Sequence, residues 1–188
     1  MNIKGKVVTL RAMEPEDQEM LREMVNDPEI EKMVCGYSYP VSTEQQIRWF
    51  QSNCNDPQNL RLIIETEGEG PIGYANITEI DWKNKTASHG VKISKKKFRA
   101  KGIATDTTMA VMRYVFEELQ LNRLEGNFLE YNEASRKILC GKLGWVVEGA
   151  RRQAVFKENG YHDEVMISIL RDEYLELIKR NNYWESSK

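Results

Sequence analysis

Between residues 87 and 119 the chain changes its period. Ala87 to Ser94 alternates, with His89, Val91 and Ile93 at every second position, the spacing that puts side chains on one face of a strand. From about Gly102 to Leu119 the spacing becomes three to four, and Thr108, Met112, Val115 and Leu119 fall on one face of a helix. The link between them is short, basic and closed by a glycine. A strand that turns so quickly into a helix belongs to a mixed α/β fold, with helices laid on the faces of a sheet.

The rest of the chain supplies the other strands and helices. Val7–Arg11, Leu60–Thr66, Ile72–Trp82, Arg123–Tyr131, Trp145–Phe156 and His162–Leu170 read as strands, giving about seven with Ala87–Ser94. One helix starts at Pro15-Glu16-Asp17, carries Met20, Leu21, Met24 and Val25, and stops at Asn26-Asp27-Pro28. Ser42 or Thr43 caps a second helix bearing Ile47, Trp49 and Phe50. Asn132–Leu143 and Asp172 to about Trp184 complete the helices, residues 28–42 read as a loop, and Asn159-Gly160 marks a hairpin turn. No repeat or linker divides the chain, so residues 1–184 form a single domain and 185–188 a loose tail.

Composition narrows the function. Lys and Arg total 27 against 29 Asp and Glu, a net charge of −2 over 188 residues. That balance argues against a nucleic-acid partner held by bulk charge. Cys35, Cys54 and Cys140 are odd in number and form no CxxC pair, and His89 and His162 are the only histidines. The expectation is a reduced, cytoplasmic protein without a metal or a disulfide framework. The N-terminus lacks the apolar stretch of a signal peptide, and no apolar run approaches the ~20 residues of a membrane helix. A membrane partner is not expected, and the open sheet leaves monomer and homodimer both open.

Within this bland average, Lys92, Lys95, Lys96, Lys97, Arg99 and Lys101 put six positive charges into ten residues just before Gly102. Free N–H groups and the positive dipole end of a helix bind phosphate oxygens, and a glycine lets the backbone approach an anion. A solvated lysine-rich turn is the alternative. The run lacks the GxxxxGK[ST] of a P-loop and the GxGxxG of a dinucleotide site.

Arg99-x-x-Gly102-x-Ala104 resembles the (Q/R)xxGx(G/A) pyrophosphate loop of the GNAT N-acetyltransferases. About 28 residues past Ala104, Asn132-Glu-Ala-Ser135 leads to Lys142-Leu-Gly144-Trp145 and resembles the NxxS…KLGF segment of that family. Glu148-Gly149 through Met166 is similar to the ending of the branch that includes ribosomal-protein N-terminal and spermidine acetyltransferases. Two features depart from the pattern. The stretch from Asn132 to Trp145 is one residue longer than usual, at Cys140-Gly141. Leu139 also stands where many relatives place a tyrosine acid.

The resemblance implies a mostly antiparallel sheet whose fourth and fifth strands, Ala87–Ser94 and Arg123–Tyr131, splay to admit the pantetheine arm of acetyl-CoA. Backbone groups of Val91 and Ile93 would pair with that arm. Arg99, Ala100, Lys101, Gly102, Ile103 and Ala104 would hold the pyrophosphate, and Asn132 would bond the arm or simply cap its helix. The implied reaction is direct attack of a primary amine on the thioester, with no metal. An amine of pKa ~10.4 costs about 4–5 kcal/mol to deprotonate at pH 7, so a base is useful. Glu79, Asp81, His89 and Glu130 are candidates for it. Ser135 is the first candidate to protonate the leaving thiolate, and Tyr131 the second. Tyr37, Tyr39 and Tyr161 are candidate walls of the acceptor site, and the acids Glu29, Glu31, Glu44 and Asp81 suit a cationic amine. The alternative is a non-catalytic acyl-CoA-binding or sensing module.

Overall fold

The computed structural model describes all residues except Tyr37, Ser38, Lys95, Arg99, Ala100 and 186–188, with Lys96 described by its backbone alone. Among the described residues eight strands form one sheet: β1 (Ile3–Lys4), β2 (Val8–Ala12), β3 (Leu60–Thr66), β4 (Gly70–Asp81), β5 (Thr86–Ile93), β6 (Arg123–Leu129), β7 (Val146–Lys157) and β8 (Gly160–Leu170). Their order is β1-β2-β3-β4-β5-β6-β8-β7, and every neighbouring pair is antiparallel except β5 and β6. The eighth strand is β1, whose two residues are too few to show a period. The expected fourth and fifth strands are therefore β5 and β6.

Six α-helices among the described residues join them: α1 (Gln18–Asn26), α2 (Pro28–Glu31), α3 (Thr43–Asn53), α4 (Ile103–Arg113), α5 (Glu133–Arg136) and α6 (Arg171–Asn181). The short helix α2 replaces part of the expected 28–42 loop. Asp27 caps it by accepting the Glu29 N–H at 2.8 Å, and Pro28 stands at its first position, where a missing N–H costs nothing. Ser42 and Gln45 form a reciprocal capping box at the start of α3.

The two faces of the sheet differ. One carries the main core, in which Leu10, Ile64, Ile72, Ala75, Ile77, Leu124, Ile167 and Ile169 pack under α4 and Tyr174 of α6. Residues Asp106 through Met112 of α4 are all buried, so this helix is enclosed around most of its circumference. The other face holds a small cluster, Met13, Leu21 and Ile63, joined by Trp49, Phe50 and Tyr74 under α1 and α3.

Asp106 fixes where α4 begins. Its buried carboxylate accepts the N–H groups of Lys6, Val7 and Val8 at 2.7–3.0 Å and the Tyr183 hydroxyl at 2.8 Å. A Cβ on Gly5 would lie 2.4 Å from a carboxylate oxygen, so glycine is needed there.

Two helices end in a π turn. After α4, Tyr114–Glu118 winds in this way, closed by the Leu119 N–H on the Tyr114 carbonyl. After α5, Lys137–Lys142 does the same, closed by the Leu143 N–H on the Ile138 carbonyl. A π turn holds one residue more than an α turn. The second one lies where the sequence is a residue longer than the family pattern, and it absorbs that residue inside the helix. At the other end of the sheet, the β7–β8 hairpin turns on Glu158-Asn159, both at positive φ, one residue before the expected pair.

Candidate active site

The site is built on the single parallel pair. β5 and β6 pair only from Thr86–Ser88 to Arg123–Glu125. Beyond that rung β5 stays with β4 through Ile93 and β6 stays with β8 through Leu129, so the two strands part. The alternation of β5 gives the polarity of its free edge. The Lys92 carbonyl crowds Gly73 of β4, and the Ser94 N–H reaches the Ile72 carbonyl at 2.9 Å, so even-numbered groups face β4. The His89 carbonyl lies 3.5 Å from a Cβ built on Gly126 of β6, so odd-numbered groups face the gap. Val91 and Ile93 thus present backbone donors and acceptors to an opening where no strand pairs with them.

At the wide end of this gap stands the start of α4. Gly102 is its N-cap, at φ +76°, and no side chain caps it. The first helical bond is the Asp106 N–H on the Gly102 carbonyl at 2.9 Å, which leaves the N–H groups of Ile103, Ala104 and Thr105 without a partner in the helix. A Cβ on Gly102 would touch nothing, so glycine serves the left-handed conformation there. Lys101 is exposed beside it, while Arg99 and Ala100 lie outside the described residues. The described members of the basic cluster do not all lie together. Lys97 pairs with Glu69 at 2.9 Å, and Lys92 points to the opposite face of the sheet, in register with Tyr74.

The narrow end is walled by Trp145, whose ring centre is 6.5 Å from that of His89. A Cβ at Gly126 would come within 3.3 Å of the indole, so this glycine keeps the ring against the strand. The indole Nε1–H is buried without a hydrogen-bond partner among the described residues.

Asn132 follows β6 and caps α5. Its Oδ1 accepts the Ser135 N–H at 3.1 Å and its Nδ2 donates to the Met33 carbonyl at 3.0 Å. The cap is therefore present, and the same amide holds the 28–36 segment. Tyr131 donates its hydroxyl to the Lys32 carbonyl, which engages it in the same tether. Ser135 is half-buried, and its hydroxyl has no hydrogen-bond partner among the described residues.

The candidate bases separate clearly. His89 donates from Nδ1 to the Asn76 carbonyl at 2.8 Å and meets the Thr108 hydroxyl at Nε2, 3.4 Å away. Burial pushes its imidazole down to about 4, so it is neutral and a weak base at pH 7. Asp81 binds the turn after β4, accepting from the Lys83 and Asn84 N–H groups and from Asn84 Nδ2, and these bonds hold its carboxyl below the ordinary range. Glu130 is bound to the Asp163 N–H and to His162. Glu79 is exposed on a bulge at φ +54°, where it accepts the Ser88 hydroxyl at 3.1 Å, beside the last rung of the β5–β6 pair.

Of the expected acceptor walls, Tyr161 is exposed and packs edge-on against Phe156 at 5.1 Å, Tyr39 is exposed, and Tyr37 lies outside the described residues. Residues that spacing did not reveal hold this region instead. The buried Lys157 at the end of β7 pairs with Glu31 and donates to the Gly36 carbonyl at 2.7 Å, latching the 28–36 segment to the hairpin. Cys35 lies near it, its thiol pushed up to about 12 by burial and by Glu164, so it is no nucleophile. Asn76 stands over Gly90, and a glycine inside a strand was the one signal for such a close approach. Among the described residues no group of three His, Cys, Asp or Glu could hold a metal ion, and no helix is long and apolar enough to cross a membrane.

This geometry agrees with comparisons to known proteins. Residues 8–146 match the family model described as an acetyltransferase (GNAT) domain, and the chain belongs to that family. It is 29% identical over 173 residues to a putative ribosomal N-acetyltransferase of Bacillus subtilis, covering 89% of this chain and 93% of that one. It is 26% identical to the spermidine N(1)-acetyltransferase of Escherichia coli strain K12, covering 89% of this chain and 88% of the relative. The fold matches a crystal structure of spermidine N-acetyltransferase from Vibrio cholerae in complex with CoA and spermine, with a TM-score of 0.83 and 23% identity over 89% of this chain and 98% of that one. The protein is an acyltransferase that uses acetyl-CoA to acetylate an amine.

Proposed function

We propose that this single-domain enzyme acetylates the primary amine of a small molecule or peptide by direct attack on the thioester. The supporting observation is the unpaired odd-numbered edge of β5, which opens beside the free N–H groups of α4. Val91 and Ile93 would hold the pantetheine arm by their backbone, and the N–H groups of residues 99–104 the pyrophosphate. Asn132 would join the arm by exchanging its bond to Met33. Acetyl-CoA supplies an acyl group activated as a thioester. The His89 carbonyl edge and Trp145 keep the narrow end of the gap dry.

The amine would approach from the face opposite α4, where Glu79 takes its proton through water. Ser135, with a free hydroxyl, would donate to the thiolate as it leaves, in place of the tyrosine that Leu139 supplants. Three free cysteines fit a reducing cytoplasm. The test is thiol release over a panel of amines, with acetyl-CoA affinity measured alongside. Release with an amine supports the reading. Binding of acetyl-CoA without release for any amine class overturns it.

A further inference from the structure

We propose that the acceptor is an amine carrying a carboxylate close by, with Asn76 receiving the amine and Lys92 the carboxylate. This rests on the reading that the amine enters opposite α4. The first observation is that the acids expected to suit a cation are paired, whereas Glu158, near Tyr131 and Lys32, makes no ion pair among the described residues. Glu31 is bound to Lys157, Glu29 to Lys32, Glu44 to Arg48, and Asp81 to its own turn. Glu164 is held by Asn127 at 2.6 Å and by Arg151 at 3.3 Å, and Asp17 and Glu65 by Arg11. The acids that suggested a cationic substrate are thus already committed.

The second observation is a cation left over. Lys92 is half-buried on the acceptor face of β5 and has no ion-pair or hydrogen-bond partner among the described residues. Burial lowers its pKa, and the charge of Lys157 lowers it further. An anion beside Lys92 offsets both effects, since Lys157 is itself already paired with Glu31. A polyamine would instead bring further ammonium groups against them.

The third observation fixes the spacing. Asn76 Oδ1 is buried without a hydrogen-bond partner among the described residues and lies 3.2 Å from the position of a Cβ on Gly90. An orphan acceptor of this kind suits the N–H of an amine. Asn76 faces Gly90, and Tyr74 faces Lys92, so the acceptor oxygen and the root of the lysine stand two rungs apart, ~7 Å along the strand. The flexible lysine spans part of that distance, which leaves a carboxylate within a few ångströms of the amine. An amino acid or the acidic N-terminal residue of a peptide carries both groups.

The test compares matched acceptors: amino acids, the same amino acids as amides, and short peptides with acidic or amidated first residues. In Lys92→Met, kcat/KM for the carboxylate form should fall 10- to 100-fold further than for its amide, the range for a charge-assisted hydrogen bond. Lys92→Arg should keep the preference, and Lys92→Glu should move it toward diamines. The free-acid and peptide arms identify the source of the carboxylate. Binding of the N-acetylated amino acid to the CoA-loaded protein is measured by calorimetry, which needs no turnover. Loss of that binding in Lys92→Met supports the proposal even if no amine is acetylated, an outcome that would overturn only the reaction. An unchanged acid-to-amide ratio together with unchanged product binding overturns the carboxylate assignment.

Discussion

The two faces of the sheet build their halves of the site from different materials. On the α4 face the groups proposed to bind are backbone: the odd-numbered edge of β5 and the first N–H groups of a helix opened by Gly102. On the opposite face they are side chains held in pairs, such as Lys157 with Glu31 and Arg151 with Glu164. A backbone site depends on where strands part and helices start, and so on the core beneath. A side-chain site depends on which charges find each other and which are left over.

The largest expected effect tests how far the backbone half depends on its support. Asp106→Ala leaves three N–H groups and the Tyr183 hydroxyl without their acceptor, at about 1–3 kcal/mol for each group that stays buried. Allowing for partial exposure, the sum should be on the order of 4 kcal/mol, or roughly 10 °C in melting temperature, read by thermal denaturation. A loss below 1 kcal/mol would mean that α4 does not need this anchor.

Next comes the response to acid. His89 is held neutral by burial, with its pKa down at about 4 from an ordinary 6.5. The unfolded chain takes up a proton below 6.5 and the folded one does not. Its contribution is therefore full above pH 6.5 and is lost as the pH falls toward 4, a change of about 3 kcal/mol. Urea unfolding at pH 7 and pH 4 measures it, and His89→Gln should flatten the difference.

Ser135→Ala sharpens the catalytic side of the comparison. The hydroxyl has no partner, so stability should stay within ~0.5 kcal/mol, while kcat falls about 100-fold if it protonates the thiolate. An unchanged kcat removes that role. The smallest effect is expected for Gly102→Val. Nothing would touch the new side chain, but a left-handed β-branched residue costs roughly 1–2 kcal/mol, so affinity for CoA should weaken about 10-fold by calorimetry. Undiminished affinity would move the anion site away from this turn.

The sequence showed the backbone half far better than the other. Period and glycine placement located β5, α4 and their junction, because those signals are local. The two-residue β1 carried no period, and α2 was hidden in a stretch whose Asp27-Pro28 start had been read only as a stop. The acids Glu29, Glu31 and Glu44 were visible as residues but not as partners. Their neutralisers are partly remote, 126 residues away for Glu31, and composition holds no record of pairing across such distances. Lys92 was read with the basic turn because it is close in sequence, and strand alternation put it on the other face.

The Asp106 clasp has a consequence for engineering. Residues 6–8, at the turn between β1 and β2, and Tyr183 meet on one carboxylate, so this turn and the segment after α6 lie side by side. An insertion in the exposed 82–85 turn should leave this clasp intact. A bulky insertion in the turn at residues 5–7 would instead disturb the anchor of α4, the helix proposed to receive the phosphates.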